Sequence, residues 1–381
     1  MVYNTVLMTI DNAKPLHLLD VTLDEFTAWC SEHELAAYRA RQVFEWVYAR
    51  NVRRFADMTN LARPLREELA RQWVIDTAAE SRRRRASDGT TKLLLAWPDG
   101  ATSECVLIPD GKRRTACISS QVGCPVGCVF CASGLAGLQR NLTAGQIIEQ
   151  LIHLRDLVEP DAGSADAQKS PTVHDASDNS KSSARRLSNI VFMGLGEPLI
   201  NYTNVLKAIR IINAPWGLNI GARNITVSTV GLPRQIRKLA DEGLQVNLAI
   251  SLHAPSDELR RELIPWAKKV PLAELVAAGR YYFDKTGREV TLEYILLAGV
   301  NDKAEHAYDL VRVCRKMRCN VNLIRYNPVP GLPFERPESF AAHKFAEWLR
   351  ERGVNAHIRK SRGLDIDAAC GQLRRATGPD R

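Results

Sequence analysis

Cys124, Cys128 and Cys131 stand in the pattern C-x3-C-x2-C, with Gly123, Pro125, Gly127 and Gly134 around them. A loop of this length, loosened by glycine, can wrap three thiolates around one compact centre. Three ligands from one loop suit a cubane iron–sulfur cluster whose fourth iron stays open, since a closed cluster takes four cysteines. A zinc site needs a fourth protein ligand and usually a second knuckle, and no second C-x2-C-type pair follows. Disulfide pairing leaves an odd cysteine and a strained loop. Three ordinary buried thiols are the plain alternative, but free cysteines are scarce and seldom cluster by accident.

Such a centre must be positioned by regular elements, and from Lys92 onward the hydrophobic pattern supplies them. Short strands are expected at Lys92–Trp97, Glu104–Pro109 and Thr115–Ser120, with a hairpin around Asp110-Gly111. Thr143-Ala144-Gly145-Gln146 fits a capping box opening a helix. Strands at Asn189–Met193, Ile225–Ser228, Val246–Ser251, Val290–Leu297, Val321–Tyr326 and Ala356–Lys360 then alternate with helices. Those helices are Val205–Ile212, Pro233–Glu242, Leu272–Asp284, Glu305–Met317 and Phe340–Arg352. Repeated βα units of this length imply a parallel sheet with right-handed crossovers. About seven strands, counting the one before the cysteine loop, are too few to close an eight-stranded barrel. The expected fold is therefore α/β, a partial (open) parallel β/α barrel.

Parallel α/β folds place ligands at the C-terminal ends of their strands. Unusual polar residues fall at those ends: Gly196 and Glu197 after the first, Ser228 after the next, then Ser251-Leu252-His253, and later Asn327. Singly, each reads as a turn or helix cap. Together they could hold a zwitterionic, ribose-bearing ligand. Glu197 would take its amine, Ser228 and Asn327 its hydroxyl or carboxylate groups, and the Ser251–His253 backbone its base.

Residues 15 to about 80 carry helical spacing, with Leu23, Phe26 and Trp29 on one face and Phe44, Val47 and Tyr48 on another. We expect a small helical accessory domain over 1–90 and the catalytic core over 91–381. Residues 159–187, rich in Ser, Asp, Ala and Lys, read as a disordered insertion without chemistry. The chain of 381 residues carries a net charge of +9, with local runs such as Arg82–Arg85, a balance that favours a polyanionic partner. A charge run alone is more often a solvated face. No stretch suffices to span a bilayer, and the first residues lack the apolar core of a signal peptide. Nine cysteines, an odd number, point to reduced thiols and a cytoplasmic setting.

The cysteine loop, with an aromatic at Phe130, resembles the signature of the radical S-adenosylmethionine (SAM) superfamily. More specifically, the stretch from Glu104 onward resembles the adenosine-C2 RNA methyltransferases. The resemblance rests on Cys117–Cys124, Met193–Leu199, Ser251–Pro255 and Asp365–Leu373. It covers about three-quarters of the chain, and the N-terminal segment is similar to that family's accessory domain, with RNA docking as its implied role.

The resemblance implies a 4Fe–4S cluster on Cys124, Cys128 and Cys131, and SAM bound through Gly196, Glu197, Ser228, Ser251, Leu252, His253 and Asn327. It implies two SAM molecules per turnover: one methylates Cys370, the other is cleaved reductively to a radical that takes hydrogen from the S-methyl group. The carbon radical then adds to adenine C2, and the covalent protein–RNA adduct is resolved by Cys117, leaving a Cys117–Cys370 disulfide. Glu104 matches the proton-accepting position. The implied partners are 23S ribosomal RNA at the peptidyl-transferase centre, transfer RNA at the adenosine beside the anticodon, and a flavodoxin- or ferredoxin-type electron donor. Three rivals stand beside this reading: a C8-methylating relative, against which Pro198 weighs lightly; another radical SAM class, such as a glycyl-radical activase or methylthiotransferase, which leaves Cys117 and Cys370 unexplained; and a non-catalytic iron–sulfur or zinc RNA-binding protein supported by basic charge alone.

Overall fold

A computed structural model describes residues 15–158 and 186–374. The chain forms two compact units, dividing between Thr77 and Ala78. The insertion expected at 159–187 lies outside the described residues except for its last two.

The first unit is mainly helical. It contains β1 (Leu16–His17), α1 (Leu23–Glu32), α2 (Tyr38–Phe44), α3 (Arg63–Gln72) and β2 (Trp73–Val74), with β1 and β2 paired in parallel. Thr22 and Glu25 close a capping box at the start of α1, and Pro64 stands in the first turn of α3, where its missing N–H costs nothing. Phe26 lies at the centre, stacked on Phe44 and edge-on to Trp73.

The second unit is built on a ten-stranded sheet in the order β14-β13-β12-β11-β10-β9-β6-β5-β4-β3. Its antiparallel wing comprises β3 (Ala79–Arg85), β4 (Thr91–Ala96) and β5 (Thr102–Asp110), and meets the parallel part at β6 (Arg113–Cys117). A small hairpin, β7 (Gln121–Gly123) and β8 (Leu138–Asn141), brackets the cysteine loop, and α4 (Ala144–Asp156) follows behind the Thr143–Gln146 capping box. The parallel run continues through β9 (Asn189–Phe192), α5 (Tyr202–Asn213), β10 (Ile225–Thr229), α6 (Pro233–Asp241) and β11 (Asn247–Ser251). After α7 (Asp257–Leu263) and α8 (Leu272–Thr286) come β12 (Val290–Leu296), α9 (Ala304–Cys314), β13 (Cys319–Arg325), α10 (Ser339–Arg350) and β14 (Ala356–Arg359). Seven strands are mutually parallel, from β6 across to β14, and β14 does not pair back to β3. The barrel is open, as expected.

One boundary differs from expectation. Ala79–Arg85, which falls within the expected 1–90 accessory domain, is the edge strand β3 of the core sheet. It is exposed along its whole length, so neither face carries the alternation that marks a half-buried strand. Its arginines are what an edge strand uses to avoid pairing with another chain.

Candidate active site

The cysteine loop is closed by backbone geometry. Cys124 N–H donates to Gly137 O (3.1 Å) and Cys131 N–H to Cys128 O (3.1 Å). Gly123 sits at φ +80°, where an added Cβ would lie 1.9 Å from Gly137 O, so only glycine allows this closure. Burial pushes the Cys124 thiol up to about 12 and the Cys128 thiol well above its ordinary value, and raises Cys131 also. Three soft sulfurs share one desolvated pocket, and only a cationic centre among them would hold them as thiolates.

That pocket is lined by the three cysteines, Gly194, Gly196, Glu197, Ser228, Ser251, His253, Glu293, Arg359 and Cys370. Glu197 is buried, and desolvation raises its carboxyl to about 7 against the pull of its hydrogen bonds. Its Oε2 accepts from Val230 N–H (2.7 Å) and Oε1 from Leu199 N–H (3.0 Å), so it ties the end of β9 to the end of β10. Ser228 Oγ and Ser251 Oγ lie 3.5 Å apart at adjacent strand ends. His253 adopts φ +60°, a rare conformation for a side-chain-bearing residue and one that recurs at binding sites. Its Nδ1 accepts from Ile295 N–H (3.0 Å), which leaves the ring proton on Nε2. Burial lowers this histidine to about 3, so it is neutral. Leu252 is buried behind the same turn, its N–H on Glu293 O (3.0 Å).

Asn327 is placed differently. Its Nδ2 donates to Cys370 O (3.0 Å), while Oδ1 accepts from Arg336 Nη1 (3.0 Å) and Ser361 Oγ (2.9 Å). It lines a second cavity of about 410 Å³, shared with Cys117, Cys370, Arg113, Lys360 and Arg362. Met193, Ile324, Arg359, Cys370 and Leu373 line both cavities, so the two have a common wall. Cys117, at the end of β6, is buried, and desolvation pushes its thiol up to about 12.

The segment bearing Cys370 is held from three sides. Ala132 N–H donates to Gly371 O (2.8 Å) and Ser133 Oγ to Leu373 O (2.7 Å), both from the cysteine loop. Lys92 Nζ donates to Asp367 O (2.9 Å) and Glu104 Oε2 accepts from Arg374 N–H (2.8 Å), both from the antiparallel wing. Gln372 Nε2 donates to Pro328 O (3.0 Å), beside the Asn327 contact. Glu104 is buried, pairs with Lys92 Nζ at 2.9 Å, and is raised from its ordinary value by desolvation. It shares a sheet face with Val106, the partner of Cys117, but opens on a separate small pocket with Arg82, Arg84 and Arg374.

Residues 16–75 match the family model described as the ribosomal RNA large subunit methyltransferase N-terminal domain, and 165–311 that of the radical SAM superfamily. A "probable dual-specificity RNA methyltransferase RlmN" of Rhodopirellula baltica is 43% identical, over 95% of this chain and 91% of its own. The chain belongs to the RlmN family of radical SAM methyltransferases. The namesake from Geobacillus kaustophilus is 44% identical over 94% of this chain and 92% of its own. The solved structure of a radical SAM methyltransferase from Sphaerobacter thermophilus is also 42% identical. It superposes with a TM-score of 0.86, covering 94% of this chain and 99% of that one.

Radical SAM enzymes carry a 4Fe–4S cluster and use SAM, and the residues here fit both. The donor set is three soft thiols on one glycine-closed loop, and the adjoining polar strand ends suit a zwitterion. Sequence reasoning missed Glu293 and Arg359. Glu293 left a signal, a lone acid inside an apolar strand run, whereas Arg359 is masked by the basic residues beside it in sequence.

Proposed function

We propose that this chain methylates C2 of adenosine in RNA, at the peptidyl-transferase centre of 23S ribosomal RNA and beside the anticodon of transfer RNA. The observation that carries the reading is the shared wall: Cys370 borders both the cluster pocket and the cavity holding Cys117. A carbon as electron-poor as adenine C2 cannot attack the SAM methyl group, whereas a thiolate can. When bound, the cluster and SAM would supply a methyl group and the radical chemistry that activates it.

In this reading Cys124, Cys128 and Cys131 hold the cluster. The backbone at Gly196, with Glu197 beneath it, receives the SAM amine, and Ser228, Ser251 and the turn at His253 orient the rest. Cys370 accepts the methyl group and carries it to the nucleotide. A cavity of about 410 Å³ is in the range of small-ligand pockets and suits one unstacked nucleotide. Arg113, Lys360 and Arg362 at its rim suit the flanking phosphates. Glu104 is the proton acceptor that the family resemblance implies; its carboxyl, raised by burial, stands in a small pocket beside the Cys370 segment, which it holds through Arg374 N–H. Cys117 then attacks the Cys370 sulfur and frees the product. Asn327 completes the SAM-binding set and also holds the Cys370 carbonyl through Nδ2. The N-terminal unit docks RNA, the electron comes from a flavodoxin- or ferredoxin-type carrier, and the thiol chemistry belongs to the reducing cytoplasm.

The test is mass spectrometry of a nuclease-digested Cys117→Ala preparation. The expected result is an adenosine-bearing nucleotide on the Cys370 peptide. A clean Cys370 peptide, with iron and SAM cleavage intact, would overturn the two-thiol chemistry and keep only the superfamily. An adduct attached through C8 would transfer the reading to the C8-methylating relatives.

A further inference from the structure

Arg359, at the end of β14, lies in the wall common to the two cavities. The one hydrogen bond its side chain makes among the described residues runs from Nη1 to the Met193 sulfur (3.5 Å), a weak acceptor. The rest of the guanidinium fork meets the cavities. An arginine remains charged, and burying that charge is costly unless anions join it. The groups around it are Cys370 on the C-terminal segment, Cys117 on β6 and Glu293 on β12, whose Oε2 also lacks a partner. Behind Cys117 stands Cys105 on β5, a buried thiol raised well above its ordinary value and so neutral. At the outer rim are Arg113, Lys360 and Arg362, with Asp110 held by Arg362 at 2.5 Å.

Cys117 therefore poses a problem for any reaction in which it is a nucleophile. Desolvation pushes it to about 12, any negative charge on the neighbouring Cys370 sulfur would add to that, and the charge opposing both is Arg359. A buried thiol in that state is inert.

We propose that Arg359 is a positioning residue shared by the two thiols: it lines one cavity with both, and it serves Cys117 alone once Cys370 has become a neutral thioether. This rests on the proposed two-thiol reading. In that state the Cys117 thiolate attacks the Cys370 sulfur. The S–S bond forms as the S–CH2 bond breaks, the electron pair passes to the CH2 carbon and into the adenine ring, and a proton from water completes the methyl group. The cation thus activates Cys117 only after Cys370 has been alkylated, when the Cys370 sulfur carries a carbon group able to leave with the electron pair.

The experiment uses cluster-loaded Cys370→Ala protein, in which position 370 carries no thiolate, as in the adduct. Iodoacetamide labelling of Cys117, read by peptide mass spectrometry, is followed against pH. In the added presence of Arg359→Met the half-maximal rate should move up by about one pH unit or more, a tenfold loss of thiolate at fixed pH. Arg359→Lys should recover most of that shift. An unchanged midpoint in Arg359→Met, whether or not the rate falls, would overturn the proposal, because a packing role lowers reactivity at every pH. Iron content and melting temperature identify a variant that has not folded, and Arg359→Lys then decides by the same midpoint. Failure of the underlying reading would appear elsewhere, as the absence of any RNA adduct in Cys117→Ala protein.

Discussion

The cysteine loop and the two-thiol cavity share a wall and are built in opposite ways. The loop is contiguous: all three cysteines fall within eight residues, and glycine conformations close it locally. The cavity is assembled from distant segments, with Cys117 on β6, Arg359 on β14 and Cys370 on a segment tied to three separate parts of the core. A centre that must bind the same cluster unchanged can be written into one loop. On the proposed reading one sulfur serves first one cavity and then the other, and such a sulfur needs a mounting whose tethers come from both.

The sharpest break of this contrast removes a ligand. Cys124→Ala, Cys128→Ala or Cys131→Ala should abolish bound iron and all SAM cleavage, measured by iron assay and by release of deoxyadenosine under reduction. Cys370→Ala should keep both and lose methyl transfer completely. Iron retention in a single-ligand variant would mean that the fourth site is filled by another protein group.

Next in size is the loop's own closure. Gly123→Ala should reduce iron content severely, because its Cβ meets a backbone oxygen at 1.9 Å, and backbone cannot swing aside as a side chain can. Gly127, at φ +70° with open space around it, should tolerate alanine at a cost of about 1–2 kcal/mol from conformation alone. Equal iron in the two variants, measured side by side, would show that the loop closes by some other route.

This difference also explains what the sequence could reveal. The clustered cysteines and the polar strand ends that line one pocket were legible because local pattern marks them: a cysteine spacing, and polar residues terminating apolar runs. The seven parallel strands and the open sheet followed from the same periodicity. The edge strand β3 was hidden because both its faces meet solvent. Arg359 and the Cys370 contact of Asn327 were hidden because their meaning lies in register. Arg359 acquires it beside Ile324 on the neighbouring strand, and Asn327 acquires it through a carbonyl forty-three positions away.

Glu197 sharpens the comparison through pH. Its carboxyl is raised from an ordinary 4.5 to about 7, so the folded chain holds the proton more tightly than the unfolded one. The stability this gives is complete below about pH 4.5 and is lost as pH rises through 7, by an amount on the order of 3 kcal/mol. Denaturant midpoints of SAM-free protein should fall over that window, and Glu197→Gln should flatten the fall. A slope identical in the two proteins would place the raised acid elsewhere, with Glu293 the next buried carboxyl in the same pocket. SAM, bringing an ammonium to this pocket, should oppose the loss.

The smallest effects belong to the tethers of the Cys370 segment. Asn327→Ala removes one hydrogen bond to the Cys370 carbonyl and leaves Arg336 and Ser361 to bond each other's neighbours or water. The tether itself is a neutral hydrogen bond worth about 1 kcal/mol net, and Arg336 and Ser361 keep partners in Tyr326 O and each other, so melting should move by a few degrees at most. Position should respond more than stability, since the sulfur must reach two cavities from one mount. Protease cleavage within residues 363–374 should accelerate several-fold in Asn327→Ala, and in Gln372→Ala to a lesser degree. Iron content should be unchanged in both, because the tethers from Ala132 and Ser133 remain. If cleavage were unchanged while iron fell, the segment would be a support of the cluster loop, and the mounting of Cys370 would have to be sought in Lys92 and Glu104.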